Sequence, residues 1–335
     1  MGVLLLAAGL IASSVTTAGA RDGETWRVDE LLVGKKKDKK SKDVSGIACT
    51  KTEGFPRSCL VIDDNRQSAQ YVTLHDGKIV AGKSVKLIAD KFDDDPLELD
   101  GEGVAFADGL YYVIGSHGHP RDGDNELNPE KNRKEIEARI TAASQVVRVK
   151  PEPNGDASAD DRSPRLRGII KAQPELAPFV DRRLENNGLT IEGIAIRGGR
   201  VFVGFRGPIL GGGRAPILSV GLDALFGGGA PNARLHGLQI GDGQGVRDLA
   251  RLDDGFLVLA GPSADGPGRY AVYWWDGDSD NVRFLRDLAD IIGDDRERKP
   301  EALLPLDKGP SGLRVLILSD GKKEGAPVAV TMPAP

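Results

Sequence analysis

One pattern returns five times along this 335-residue chain, and it constrains the fold more tightly than any single motif does. Each copy is a short strand opening on a polar residue, a Gly-rich turn, and a second apolar strand ending in a polar or Gly cluster. The copies open at Ser45, Glu102, Glu192, Arg247 and Glu301, and their second strands end at Asp64, Ser116, Arg206, Gly261 and Asp320. Within the copies the steps are 19, 14, 14, 14 and 19 residues, and from copy to copy 57, 90, 55 and 54. Gln145 to Val149 and Tyr270 to Trp275 then read as third strands, and Val282 to Leu285 as a fourth. Antiparallel four-strand units at such a period are the blades of a β-propeller. The sequence therefore predicts an all-β fold of five blades of four antiparallel strands, in one domain from residue 21 to 335. The long step holds an insertion at about 120–165; six blades are the alternative if that insertion is rich in strands.

After Glu301 only three strands remain, ending at Val328-Ala329-Val330, while Trp26 to Val33 belongs to no copy. This N-terminal strand is expected to pair with Val328 to Val330 and close the ring. Asn128-Pro129-Glu130 followed by Lys131 to Ala143 predicts a capped, mostly polar helix in the insertion. Lys35 to Lys42, with six lysines, and Asp93 to Asp95 are expected to be solvated turns.

Residues 1–20 carry no charged side chain and end in Ala18-Gly19-Ala20, a small-x-small cleavage pattern, so they read as a signal peptide. No later apolar stretch is long enough to span a bilayer, which predicts no transmembrane segment after cleavage and a periplasmic or secreted protein. In that oxidising setting Cys49 and Cys59, on two runs that pair antiparallel, are expected to form a disulfide with Cα atoms about 4.4 to 6.8 Å apart. The 45 basic and 50 acidic residues leave a net charge of −5, with no electrostatic footprint for nucleic acid.

In a blade the start of the first strand and the end of the second meet on one face of the ring. Two columns of residues should gather there: Ser45, Glu102, Glu192, Arg247 and Glu301 in the first; Asp64, Ser116 with His117, Arg206, Gly261 and Asp320 in the second. Carboxylates at Glu102, Glu192, Glu301, Asp64 and Asp320 offer the oxygen ligands that Ca²⁺ prefers. Arg206 and Arg247 can grip a small anionic ligand, and His117 can move a proton. This predicts Ca²⁺-assisted hydrolysis of a phosphate ester or lactone, with His117, Arg206 and Arg247 as catalytic residues. The structural alternative makes each first-column Glu a latch on backbone N–H groups of the next blade, or half of an ion pair, in a propeller that binds a ligand or protein without catalysis. His119 and His236 lack ligand spacing and are expected at the surface. Gly211 to Gly213 and Gly227 to Gly229 lack the Walker spacing, and no Gly-x-Ser-x-Gly elbow is present.

Glu-Gly-Val-Ala at Glu102, Glu-Gly-Ile-Ala at Glu192, Gly115-Ser116-His117 and Lys299-Pro300-Glu301-Ala302-Leu303 resemble the exported bacterial family of domain of unknown function 3616, from about residue 40 to 325. That family carries no established activity. More distantly, the Glu-Gly-Ile-Ala strand resembles those of esterase-like phytase and gluconolactonase-type propellers, a likeness that implies carboxylates holding Ca²⁺. Ser45 and Arg247 depart from an all-carboxylate column.

Overall fold

The computed structural model describes residues 23–36, 38–121, 127–151 and 159–335. The expected signal peptide, residues 1–20, lies outside them. Five four-stranded antiparallel blades follow one another in chain order. Blade 1 is Val44–Cys49, Arg57–Asp63, Ser68–His75 and Lys78–Lys86; blade 2 is Gly101–Ala107, Leu110–Gly115, Val146–Val149 and Ala159–Ser163. Blade 3 is Thr190–Arg197, Arg200–Gly207, Ala215–Gly221 and Arg234–Leu238; blade 4 is Gln244–Leu252, Gly255–Pro262, Ala271–Trp275 and Val282–Asp287. Blade 5 combines Lys299–Gly309, Gly312–Asp320 and Val328–Met332 with Glu24–Thr25 from the other end of the chain. Each first strand touches the first strands of both neighbouring blades, the fifth meeting the first, so the ring is closed.

Apolar alternation along the strands fills the seams between blades. Five buried clusters are present among the described residues, one at each seam. A strand residue facing a neighbouring blade leaves water on folding, and burying a Val, Leu, Ile or Phe side chain contributes about 1.5 to 3 kcal/mol. The 14-residue step of blades 2, 3 and 4 has a local cause: their first two strands join through two-residue turns at Asp108-Gly109, Gly198-Gly199 and Asp253-Asp254. The backbone is left-handed at Asp108, Gly109, Gly198, Gly199 and Asp253, as tight hairpin turns require.

Ring closure differs from the expectation in its register. Glu24 and Thr25 pair with Ala329 and Val328, and the Trp26 N–H donates to Pro327 O at 2.8 Å. The chain then crosses to blade 1, where Arg27 to Asp29 runs parallel to Lys78 to Val80. The crossing sits at Trp26 because its indole is buried in the seam between blades 5 and 1, edge-on to Phe55. The N-terminal segment is thus pinned to two blades rather than one.

Cys49 and Cys59 are bonded and stand directly opposite each other on adjacent strands. Their Cα atoms are 3.9 Å apart, below the expected range. The insertion contributes one helix, Arg133–Ala143, and Asn128 Oδ1 accepts the N–H groups of Glu130 and Lys131 just before it. Val146–Val149 and Ala159–Ser163 within this segment are the third and fourth strands of blade 2, and no sixth blade is present among the described residues. Asp93 to Asp95 is an exposed turn. In the lysine-rich loop Lys35 pairs with Glu98 at 2.9 Å and Lys40 with Glu324. His236 is not at the surface: it is buried edge-on against Trp275 across the seam between blades 3 and 4. His119 is half-buried beside Pro120 O. No helix among the described residues is long and apolar enough to cross a membrane.

Candidate functional site

Every first-column residue occupies the same special position, the extra residue of a β-bulge. In blade 1 Val44 and Gly46 pair with Asp63 and Ile62, skipping Ser45. The same skip occurs at Glu102 between Gly101 and Gly103, at Glu192 between Ile191 and Gly193, at Arg247 between Val246 and Asp248, and at Glu301 between Pro300 and Ala302. A bulge re-aims its extra side chain out of the pleat. Repeated five times, it accounts for polar side chains meeting inside an apolar ring, and all five are buried.

Four of the five are joined to one another. Arg206 Nη1 donates to Glu192 Oε1 at 3.2 Å; Arg247 Nε lies 2.8 Å from Glu192 Oε2; Arg247 Nη2 donates to Glu301 Oε1; and Ser45 Oγ reaches Glu301 Oε2 at 3.5 Å. The 2.8 Å approach lies off the N–H axis, so Glu192 Oε2 and Arg247 Nε are ion-paired without a hydrogen bond. Gly261 makes room for this arrangement, since a Cβ there would stand 2.7 Å from Arg247 Cγ. Burial works against the Arg247 charge, but Glu192 and Glu301 outweigh it and hold the guanidinium firmly protonated. Burial pushes Glu301 up to about 7 even though Arg247 pulls the other way.

Glu102 stands outside this chain of pairs. It is 3 % exposed and has no hydrogen-bond or ion-pair partner among the described residues. Burial first, then the fields of Glu192, Asp100 and Asp64, raise its pKa well above the carboxylate range. Asp64 is raised for similar reasons, by burial and then by Asp100 and Asp43. Ligand oxygens of Asp43, Asp63 and Asp64 all lie within 4.8 Å of one another. Burial carries Asp63 up to about 6 despite a hydrogen bond from Ser41 Oγ at 2.6 Å.

Asp64 and Asp100 also line a pocket of about 220 Å³, walled on its other side by Pro120, Arg121 and Arg139 of the insertion. Arg121 pairs with Asp265 at 3.3 Å; burial lowers its pKa, but Asp100, Glu102 and Asp265 raise it further than burial lowers it.

Three expected members of the site are placed otherwise. Asp320 is taken up by Lys299 Nζ at 2.8 Å, so it is not an open carboxylate. Ser116 is buried, with Oγ accepting the Gly118 N–H. His117 does not join the carboxylates: its carbonyl accepts from Arg167, and its ring nitrogens are buried without partners. Burial, then the Arg167 charge, drops the imidazole to about 3, which leaves it neutral at ordinary pH. Its backbone is left-handed, just past the end of the second strand. Arg206 and Arg247 meet the carboxylates as expected, but as their counter-ions; Arg206 also bonds Asp265 at 2.6 Å and the carbonyls of Ser263 and Ala264.

The backbone latch expected of the glutamates is made by Asp248, whose Oδ2 accepts the Leu303 N–H of blade 5 at 2.8 Å. Sequence reasoning missed Asp43, Asp63, Asp100 and Arg121. Asp43 and Asp63 adjoin recognised motifs, whereas Asp100 and Arg121 come from connections with no repeat to mark them.

Among solved structures, a GH43 β-1,3-galactosidase is 10 % identical with a TM-score of 0.46, covering 92 % of this chain and 58 % of its own. A Cellvibrio cellulosa α-L-arabinanase mutant is 12 % identical with a TM-score of 0.42, covering 87 % of this chain and 91 % of its own. A putative 6-phosphogluconolactonase from Bacteroides uniformis is 10 % identical with a TM-score of 0.34, covering 87 % of this chain and 71 % of its own. The chain spans less than two thirds of the galactosidase and, at 64 %, of a Clostridium thermocellum exo-β-1,3-galactanase. No curated protein matches. A family model does match, over residues 56–326, four of the five bulged column positions included, and the chain belongs to that family, described as Protein of unknown function (DUF3616).

Proposed function

We propose that this protein is an exported, periplasmic or secreted hydrolase that uses Ca²⁺ to cleave a phosphate ester or lactone at the carboxylate-rich mouth. The observation that carries the reading is a carboxylate set with no ion pair among the described residues: Asp43, Asp63 and Asp64 grouped within 4.8 Å, with the unpartnered Glu102 nearby. An all-oxygen, multiply anionic donor set fits a hard cation. The fit narrows the expected ligands: Asp64 remains and Glu102 takes another task, whereas Glu192, Glu301 and Asp320 are neutralised by Arg247 and Lys299. Ca²⁺, when bound, supplies Lewis-acid polarisation of a phosphoryl or carbonyl oxygen.

The chain's own groups have separate tasks in this reading. Asp43, Asp63 and Asp64 hold the cation. Arg121, on the wall of the 220 Å³ pocket, orients the anionic part of the substrate. Glu102 exchanges a proton with water, a task for which a raised pKa suits it. Arg206 and Arg247 act on Glu192 and Glu301 rather than on substrate.

Elemental analysis of the purified protein, with turnover of a panel of phosphate esters and lactones in Ca²⁺ and in EDTA, tests the proposal. Bound calcium and Ca²⁺-dependent turnover that disappears in Asp64→Asn support it. Metal-free protein without turnover overturns it in favour of a non-catalytic ligand- or protein-binding propeller. The commitment of Arg206 and Arg247 to carboxylates and carbonyls of the protein itself is the observation that favours this second reading.

A further inference from the structure

The inner strands continue past the charged columns, and at their other end they enclose a cavity of about 360 Å³. No residue of either charged column lines it. Its walls include the residue three places after each first-column position: Ala48, Ala105, Ala195, Ala250 and Leu304. Four of these five are alanine, and Leu304 shows that the fold accepts a larger side chain there.

The rim is charged: Lys51, Arg251 and Lys308 stand against Glu53, Asp253 and Asp307. Lys308 pairs with Asp253, and Asp307 with Arg314 at 2.6 Å. Lys51 and Arg251 are exposed and have no carboxylate partner among the described residues, against one unpaired carboxylate, Glu53. A cavity in the low part of the range of ligand pockets, its lining part apolar and part polar, takes a molecule with an apolar body and a polar head.

We infer that this end of the channel is a second binding site, for a small amphiphilic carboxylate whose apolar body lies among the alanines and whose head meets Lys51 and Arg251. It shares no residue with the Ca²⁺ site and does not depend on it.

The test is calorimetric titration of the full chain with decanoate, and with decanol as the neutral comparison. Saturable one-site binding of decanoate is expected, with decanol weaker by about fivefold, the size of a partly solvated charge pair. Ala250→Leu, which copies blade 5, should weaken both ligands by about tenfold through lost volume. Lys51→Gln with Arg251→Gln, both at exposed positions, should bring decanoate down to the level of decanol and leave decanol unchanged. EDTA and Asp64→Asn should change neither affinity. Absence of saturable decanoate binding, decanol as tight as decanoate, or an affinity indifferent to Ala250→Leu in a protein with native melting behaviour overturns the inference.

Discussion

Replacing Arg247 by methionine removes one charge and keeps most of the stem that packs in the ring. The Arg247 side chain is 1 % exposed and lies between Glu192, at 2.8 Å, and Glu301. Truncating one partner of a buried ion pair leaves uncompensated charge in a poor solvent and costs about 3 to 5 kcal/mol. Protonation limits that loss, and the pH dependence exposes the mechanism. Glu301 titrates near 7 in the fold against 4.5 as its ordinary value, so between those values the folded chain holds a proton that the unfolded chain releases. The stability tied to this group is complete below about 4.5 and is lost as pH rises through about 7. Without Arg247 the folded pKa rises further, so the loss continues to higher pH, at up to about 1.4 kcal/mol per pH unit. Urea unfolding at pH 5.5 and 8.5 should therefore show a larger penalty for Arg247→Met at the higher pH. Adding Glu301→Gln should recover much of it. A penalty below about 1 kcal/mol at both pH values, or one independent of pH, refutes the argument.

His117 gives the opposite sign. Its folded pKa of about 3 lies below the ordinary 6.5, so stability is full above 6.5 and falls as pH drops toward 3, by up to about 5 kcal/mol; His117→Asn should flatten that acid limb in unfolding measurements. Calcium at a hundredfold excess over its dissociation constant should stabilise the fold by about 2.7 kcal/mol, a shift lost in Asp64→Asn and kept in Glu192→Gln when melting is followed with and without the ion. Trp26→Ala should cost about 3 to 5 kcal/mol in denaturant unfolding, because it empties the seam where the chain passes from blade 5 to blade 1.

The architecture was legible because the strand pairs repeat and because the turns of blades 2, 3 and 4 contain residues that suit left-handed backbone. Closure was legible in kind but not in register. Trp26, Val28 and Leu31 to Val33 look like a strand, whereas the pairs that close the ring are made by Glu24 and Thr25, which have no apolar signature. The absence of ligand spacing around His236 says nothing about burial, and only the neighbouring blade reveals Trp275 against it. The column of Glu102, Glu192, Arg247 and Glu301 was visible as a spacing. Its division into a paired chain and one unpaired carboxylate was not, because that depends on which side chains reach across seams. Asp100 and Arg121 belong to connecting segments, whose position relative to the ring no local pattern encodes.

The bulges have a consequence for how this molecule can change. A residue inside a ladder answers to the residue opposite it, and an unsuitable replacement weakens the sheet. Ser45, Glu102, Glu192, Arg247 and Glu301 have no opposite number. No cross-strand partner constrains their identity, while the strands that carry them stay zipped on either side. Chemistry and scaffold are thereby uncoupled at five points, and a serine and an arginine already stand where the other blades carry glutamate. Relatives built on the same ring can present other combinations of charge at this mouth without redesigning a single blade.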